Sequence, residues 1–503
     1  MSGVSFVRLT PADLEYSAIV PQALDNQWVP TTVLKRLIKR GIPLRDWQSE
    51  DESKKLVLSE WRRALIYTPQ VVVNRAALFN NAIIVEDYSG EGRPHFQKLL
   101  SNRVIVEYLL TEESPDQRPT FTIGEEKWRR WLDTIKDAEV ACVRLDWGNQ
   151  EDDFRHVAEV FHAYFQTVNM PDRIQHLTSA FRIPSGQKRQ FEEKLKEVAR
   201  LAFDLADQGK RITRNELYKR FVCRDGSPID EGWYDSSKPF AAELKQLFDL
   251  RYTVNLPDAL GRYAFTPKDS PDRTVLGELT QETLQNALRD NQIEQLWDQL
   301  RHFVFATVTP GLYIKGLHLL SLQDVLEIRR TDEWENYIKS LNDLLRHPLE
   351  FETRAKRLVE DFERLSQHVV ELKARREKAT STAIAAQAQV GMQLVLAVGS
   401  AWMKFSFSPE DPSRILVETL AAPVAAGVAP FALNLFIKAQ GRLELAHSVN
   451  FLRSRVRNGR DVWREITGRL SSDPRFQFVE KQGALEQEAN QSGSEINPED
   501  YLG

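Results

Sequence analysis

The chain has almost no cysteine. Cys142 and Cys223 are the only two in 503 residues, and neither has a Cys or His close by, so no disulfide framework or zinc knuckle can be read from them. A reducing, cytosolic compartment is the expectation. Charge of either sign is also not in excess: 67 Lys and Arg stand against 72 Asp and Glu, giving a net charge of -5 and a pI near 6.1. A surface built throughout to hold nucleic acid needs clustered cations, so nucleic acid is not an expected partner. The first twenty residues lack an unbroken apolar core, because Arg8, Asp13 and Glu15 interrupt it. The chain is therefore expected to begin in the cytosol. There is no Walker sequence, Gly-x-Ser-x-Gly elbow or His-Glu-x-x-His helix, and hence no motif that names a reaction or calls for a cofactor.

What is present is organisation. A chain of this length exceeds what one core usually organises. Residues 1–180 alternate short β-branched runs, "ALIYTPQVVV", "NRVIVEYLL" and "EVACVRL", with helical patterns such as "EEKWRRWLDTIKDA". That alternation predicts an α/β domain with parallel pairing, suited to sensing or interaction. Residues 181–270 predict a small helical domain in which Thr213 and Glu216 form a capping box. Residues 271–347 predict further helices, the second opened by Ser321 and Asp324. The predicted fold class is thus an α/β or α+β N-terminal domain followed by a mainly α-helical C-terminal half. Residues 483–503, polar and acidic, are expected to be a disordered tail.

The segment 348–470 has the most regular pattern. Phe351, Ala355, Leu358, Phe362, Leu365, Val369 and Leu372 recur at alternating spacings of four and three, the seam of a coiled coil or tight helical pair. Through it a homo-oligomer or protein partner is expected. Beyond it, residues 379–403 and 419–437 carry no charged side chain, close to the roughly 20 apolar residues that a membrane-crossing helix needs. They predict a hydrophobic helical hairpin over 383–403 and 415–437, turned by "SPEDPS". Basic residues flank it on both sides, from Lys373 to Lys378 and from Lys438 onward, which would keep both flanks on the cytoplasmic face.

The two arms differ. Arm one is worth only about -3 kcal/mol on an insertion scale and is opposed by Gln389 and Gln393, with Ser400 near the same face and Trp402 following. Arm two is worth about -5 kcal/mol, with Gly427 allowing close packing, Pro423 and Pro430 kinking the helix, and Asn434 its polar exception. Such a hairpin resembles, in pattern and not in sequence, the hydrophobic hairpin of pore-forming colicins. The leading expectation is a membrane-associating sensor and effector of the toxin or defence type, with membrane lipids as partners.

Two other classes are compatible with the sequence. Acids follow the candidate strands: Glu86 and Asp87, Glu112 and Glu113, and Asp146. Converging carboxylates could hold Mg²⁺ for phosphodiester hydrolysis, and Glu112 and Asp146 are the candidate catalytic pair of such a nuclease. The basic run "GKRITRNELYKRF" reads as a solvated helix face before it reads as a nucleic-acid reader. A purely structural subunit of a larger complex is the third class.

Overall fold

The β-branched runs pair into one sheet. In the computed structural model, which describes residues 4–145, 150–277, 293–388 and 429–470, six strands lie parallel: β1 (Phe6–Leu9), β2 (Ile19–Pro21), β3 (Val71–Asn74), β4 (Ile105–Tyr108), β5 (Val140–Val143) and β6 (Tyr263–Phe265). Their order is β1-β5-β4-β3-β2-β6, with Val71 opposite Ile105 and Ile19 opposite Tyr263. Parallel strands need crossovers and coverage on both faces, and β4 and β5 are buried at every residue. Val71, Val73 and Ile105 point into one core, while Val72, Val106 and Tyr108 point into another. From β2 the chain steps through β3, β4 and β5 in one direction, and β6 then takes the opposite side of β2. The strand order reverses there, and in open sheets ligands bind at the carboxyl ends of the strands beside such a reversal.

Helices cover the sheet. α1 (Thr31–Arg40), α2 (Leu44–Gln48), α3 (Asp51–Tyr67), α4 (Arg75–Asn80), α5 (Ala82–Ser89), α6 (Arg93–Ser101) and α7 (Glu125–Ile135) fall among the first five strands. Two expectations are corrected. The run from Ala64 is the end of α3, and the strand starts only at Val71, beyond Pro69. "AIIV" is the start of α5, because Asn81 caps it by accepting from the Ile83 N–H; Glu86 and Asp87 therefore do not follow a strand. A short apolar run fits a buried helix as well as a strand. α8 (Gln150–Gln166), α9 (Pro171–Ala180), α10 (Lys188–Asp207), α11 (Arg214–Phe221) and α12 (Ala241–Ala259) follow. They build a core that includes Leu34, Trp47, Phe165, Leu195 and Phe248, so α1 and α2 pack with them.

The C-terminal helices are α13 (Ile293–Val308), α14 (Leu322–Ile328), α15 (Asp332–Arg346), α16 (Phe351–Ala388) and α17 (Ala429–Leu470). All seven residues of the α16 stripe are buried. The stripe is covered from inside the same chain: the Phe362 ring lies 5.5 Å from Tyr67 and 6.5 Å from Tyr337. α16 and α17 run antiparallel. Phe351 meets Trp463, Glu352 pairs with Arg464, Glu363 with Arg453, and Lys373 with Glu444. The same progression brings Ala388, the last residue of α16, and Ala429, the first of α17, to one end of the pair. Gly441 faces Val370, and Gly459 faces Thr307 and Phe351, so close that a Cβ at either would collide with its neighbour.

Among the described residues no helix is long and apolar enough to cross a membrane. Gln389, Gln393, Ser400, Trp402, Pro423 and Gly427 lie outside the described residues, as does the tail at 483–503. Pro430 and Asn434 fall within α17, close to where the described residues resume at Ala429.

The two halves of the chain meet on α3. The last carbonyls of a helix have no partner within it; here Leu65 and Thr68 receive Arg329 Nη1, each at 2.7 Å, Ile66 receives Trp334 Nε1 at 2.8 Å and Tyr67 receives the Tyr337 hydroxyl at 2.9 Å. One turn earlier, fully buried Arg63 pairs with Glu60 and donates to the carbonyls of Leu312 and Thr266 at 3.0 Å and Thr309 at 3.2 Å. Arg63→Met strands Glu60 as a buried, unpaired charge and should cost about 3–5 kcal/mol in urea denaturation. Adding Glu60→Gln should recover much of that loss. A cost below about 1 kcal/mol for the single variant would rule out this staple as the joint between the halves.

Candidate functional site

The acids picked out in the sequence do not face an open site. Glu112 is buried; one carboxylate oxygen accepts from the backbone N–H groups of Leu110 at 2.9 Å and Thr111 at 3.1 Å, and the other lies 3.5 Å from Arg75. Arg75, the first residue of α4, is fully buried, with Nε 2.6 Å from Glu107, and donates to the carbonyls of Pro115 and Gln117 at 2.8 Å. One cation therefore serves two buried carboxylates. Burial pushes the Glu107 carboxyl up to about 7, Arg75 opposes this and the Glu112 charge adds to it. Asp146 lies outside the described residues. Among the described residues no group of three or more His, Cys, Asp or Glu could hold a metal ion. Asp87 is taken up by Arg62, at 2.6 and 2.8 Å, and by the Trp61 indole at 2.8 Å. The Cys142 thiol, pushed up to about 12 by burial and next by the Glu107 charge, is no nucleophile at neutral pH.

A concave site lies elsewhere. At the carboxyl ends of β2, β3 and β4, beside the reversal in strand order, is a cavity of about 520 Å³. Val20, Val72 and Tyr108 line it from the sheet, Phe161 from α8 and Leu256 from α12. Local sequence places the polar groups. The Thr213 and Glu216 capping box starts α11 and puts Arg214 at its first position. Asn74 ends β3 and caps α4, accepting from the Ala76 N–H at 2.8 Å. Pro257, inside α12, supplies no N–H to the Thr253 carbonyl one turn earlier.

Among the described residues, Arg214 is the one cation lining the cavity. Its Nη1 lies 2.6 Å from Asp25 and 3.9 Å from Asp249, and its guanidinium sits 3.9 Å above the Tyr252 ring. Burial would raise the Asp25 carboxyl, but Arg214 and the Gln27 N–H outweigh it and hold the group below its usual range. No family model, curated protein or solved structure matches this chain. The site must therefore be read from its own chemistry.

That chemistry includes unmet hydrogen bonds. Asn255 is 5% exposed and neither its carboxamide nitrogen nor its oxygen has a partner. Thr253 and Gln27 also line the cavity, and the Thr253 hydroxyl and Gln27 Oε1 are buried without one. Each such group costs about 1–3 kcal/mol, a cost carried by the packing behind the cavity wall. Of these residues only Arg214 stood in a segment that the sequence singled out, and there as part of a solvated face. The capping box at Thr213 was the available signal, since it fixes Arg214 at a helix start. Nothing local marked Asn255.

The Arg75 cluster gives a pH signature. Native Glu107 keeps its proton up to about pH 7, whereas the ordinary carboxyl value is 4.5. Between those values the native state binds more protons than the unfolded chain, so stability falls as pH rises through the window. Glu107→Gln should flatten the decline in melting temperature between pH 5 and 7.5. An unchanged slope would remove Glu107 as its source.

Proposed function

We propose that this chain is a membrane effector with a sensing domain: the α/β half takes a small ligand in the cavity at the sheet edge, and the C-terminal half presents apolar arms to a lipid bilayer. The observation that carries the membrane part is the antiparallel packing of α16 and α17. Because Ala388 and Ala429 come to one end of the pair, the uncharged stretches on either side of "SPEDPS" leave and return at a single pole. Exposed Arg375 and Arg442 face each other across the pair about 20 Å of helix below that pole, a basic flank of the kind an anionic lipid surface attracts. Other basic groups there are already engaged. Lys373 is buried against Glu444 and the Lys315 carbonyl, and Arg376 holds Asp324 at 2.8 and 3.1 Å. These pairs tie the base of the arms to α14 and α17, and arms only marginally apolar fit a device that inserts on demand.

Vesicle flotation tests this reading. The full chain should float with vesicles containing anionic phospholipid, and less so with zwitterionic vesicles. A variant with residues 389–428 replaced by a short Gly-Ser linker should stay at the bottom of the gradient. The linker needs to bridge only the roughly 8–10 Å between packed helices, so melting temperature should report an intact core. Equal flotation of both proteins, or of neither, would refute the assignment of membrane contact to these arms.

A further inference from the structure

The cavity offers a ligand one ion pair set among apolar walls. We propose that it binds an α-amino acid with an aliphatic or aromatic side chain, held as the zwitterion against Arg214 and Asp25. This rests on the reading of the cavity as the ligand site of the sensing domain, and names what it senses.

Both charges reach the cavity. Arg214 and Asp25 line it and keep 15% and 22% of their side-chain surface accessible, whereas the unmet atoms of Asn255, Thr253 and Gln27 are sealed behind the wall and read nothing. Arg214 commits only Nη1 to a hydrogen bond, with Asp25 at 2.6 Å. Among the described residues its Nε and Nη2 have no hydrogen-bond partner, and neither is one of the sealed atoms. The Nε–Nη2 edge of the guanidinium is therefore open to a carboxylate. Asp25 accepts from Arg214 through one oxygen and from the Gln27 N–H at 2.8 Å through the other, which leaves a lone pair on each for an ammonium. Held below its usual range, Asp25 is ionised at neutral pH.

The pair as a whole is neutral, and that decides what it can hold. An anion on the Arg214 edge meets the Asp25 carboxylate, and a cation on Asp25 meets the guanidinium. Among the described residues lining the cavity no further charged side chain offsets either conflict. A dipolar ligand avoids both by lying antiparallel to the pair. The span from Nη1 to Asp25 is 2.6 Å, so the ligand's ammonium and carboxylate must sit close together, as they do on the one central carbon of an α-amino acid. The rest of the ligand meets half-buried Leu110, Val157 and Leu256 and the exposed Tyr252 ring. These suit an aliphatic or aromatic side chain and leave a charged one unmatched. A volume of about 520 Å³ lies within the range of small-molecule sites.

Isothermal titration calorimetry on the purified full chain, without lipid, tests this with leucine, methionine and phenylalanine. Each is compared with its amide, which lacks the carboxylate, and with its deaminated acid, which lacks the ammonium. At least one amino acid should bind with micromolar affinity and raise the melting temperature, and its amide and deaminated acid should each bind at least tenfold more weakly. Asp25→Asn keeps the shape of the pair and removes its negative charge, so the deaminated acid should now bind more tightly than the amino acid. Should that variant fail to fold, Arg214→Gln provides the converse comparison, with the amide preferred over the amino acid. No binding of any of the three amino acids at 1 mM, an amide or deaminated acid that binds the unaltered protein as tightly as its parent, or an order of affinities unchanged in whichever variant folds would overturn the proposal. Binding without vesicle flotation would leave this inference standing and remove the membrane reading; flotation without binding would do the reverse.

Discussion

The fold depends on how helix α3 ends. A buried helix terminus with unpaired carbonyls is among the costliest features a core can contain, and α3 runs into the middle of this protein with residues 61–67 buried. Its carbonyls are satisfied by Arg329, Trp334 and Tyr337, which lie more than 260 residues further along the chain. Arg63 works in the opposite direction, from α3 into the carbonyls of the turn at 309–312. The α/β half is therefore incomplete without the helical half. Removing residues 293–346 would expose the apolar surface of α3 and also leave its backbone polar groups buried or unpaired.

The same constraint explains why charged residues are found where a core is expected. Arg62, Arg63 and Arg75 are all less than 5% exposed, and each forks onto carbonyls as well as a carboxylate. A guanidinium has five donors in a fixed plane, so one Arg can satisfy several turn carbonyls that no apolar residue could. Buried ion pairs contribute little net stability of their own. What these arginines contribute is that a misplaced turn leaves a charge without its partners, which makes the joint between the halves specific.

What the sequence revealed, and what it hid, follows from range. The α16 stripe from Phe351 to Leu372 was legible because its period is local and its burial simply follows the period. The capping boxes at Thr213 and Ser321 were legible for the same reason, and both form. The Arg63 and Arg75 clusters were not, because a charged residue in "SEWRRALIY" or "NRAALF" fits a solvated helix position equally well. β1, β2 and β6 have three or four residues each, too few to display a period of two. The cavity draws on Asp25, Asn74, Arg214 and Leu256 among others, and only the sheet order brings their segments together. A motif scan detects sites whose residues share one segment; this one has none.

The cavity lies on the Val72 face of the sheet and the α16 stripe packs in the core of the other face, yet a short piece of chain joins them. α12 carries Asn255 and leads directly into β6, where Phe265 lies 4.0 Å beneath the Arg63 guanidinium and the Thr266 carbonyl accepts from it. A few residues on, Asp272 pairs at 2.7 Å with Arg455 of α17, which also donates to the carbonyls of Ala306 and Thr307. Contact of this kind is not in itself coupling, because a ligand shifts only an equilibrium between states that it binds unequally. The chemistry nonetheless identifies the element that would have to differ between such states. A ligand against Tyr252 or Leu256 would press on the last turns of α12, where Pro257 has already removed a helical hydrogen bond. That turn leads into β6, and beyond the end of β6 lie both the Thr266 carbonyl that Arg63 holds and the Asp272 carboxylate that Arg455 holds.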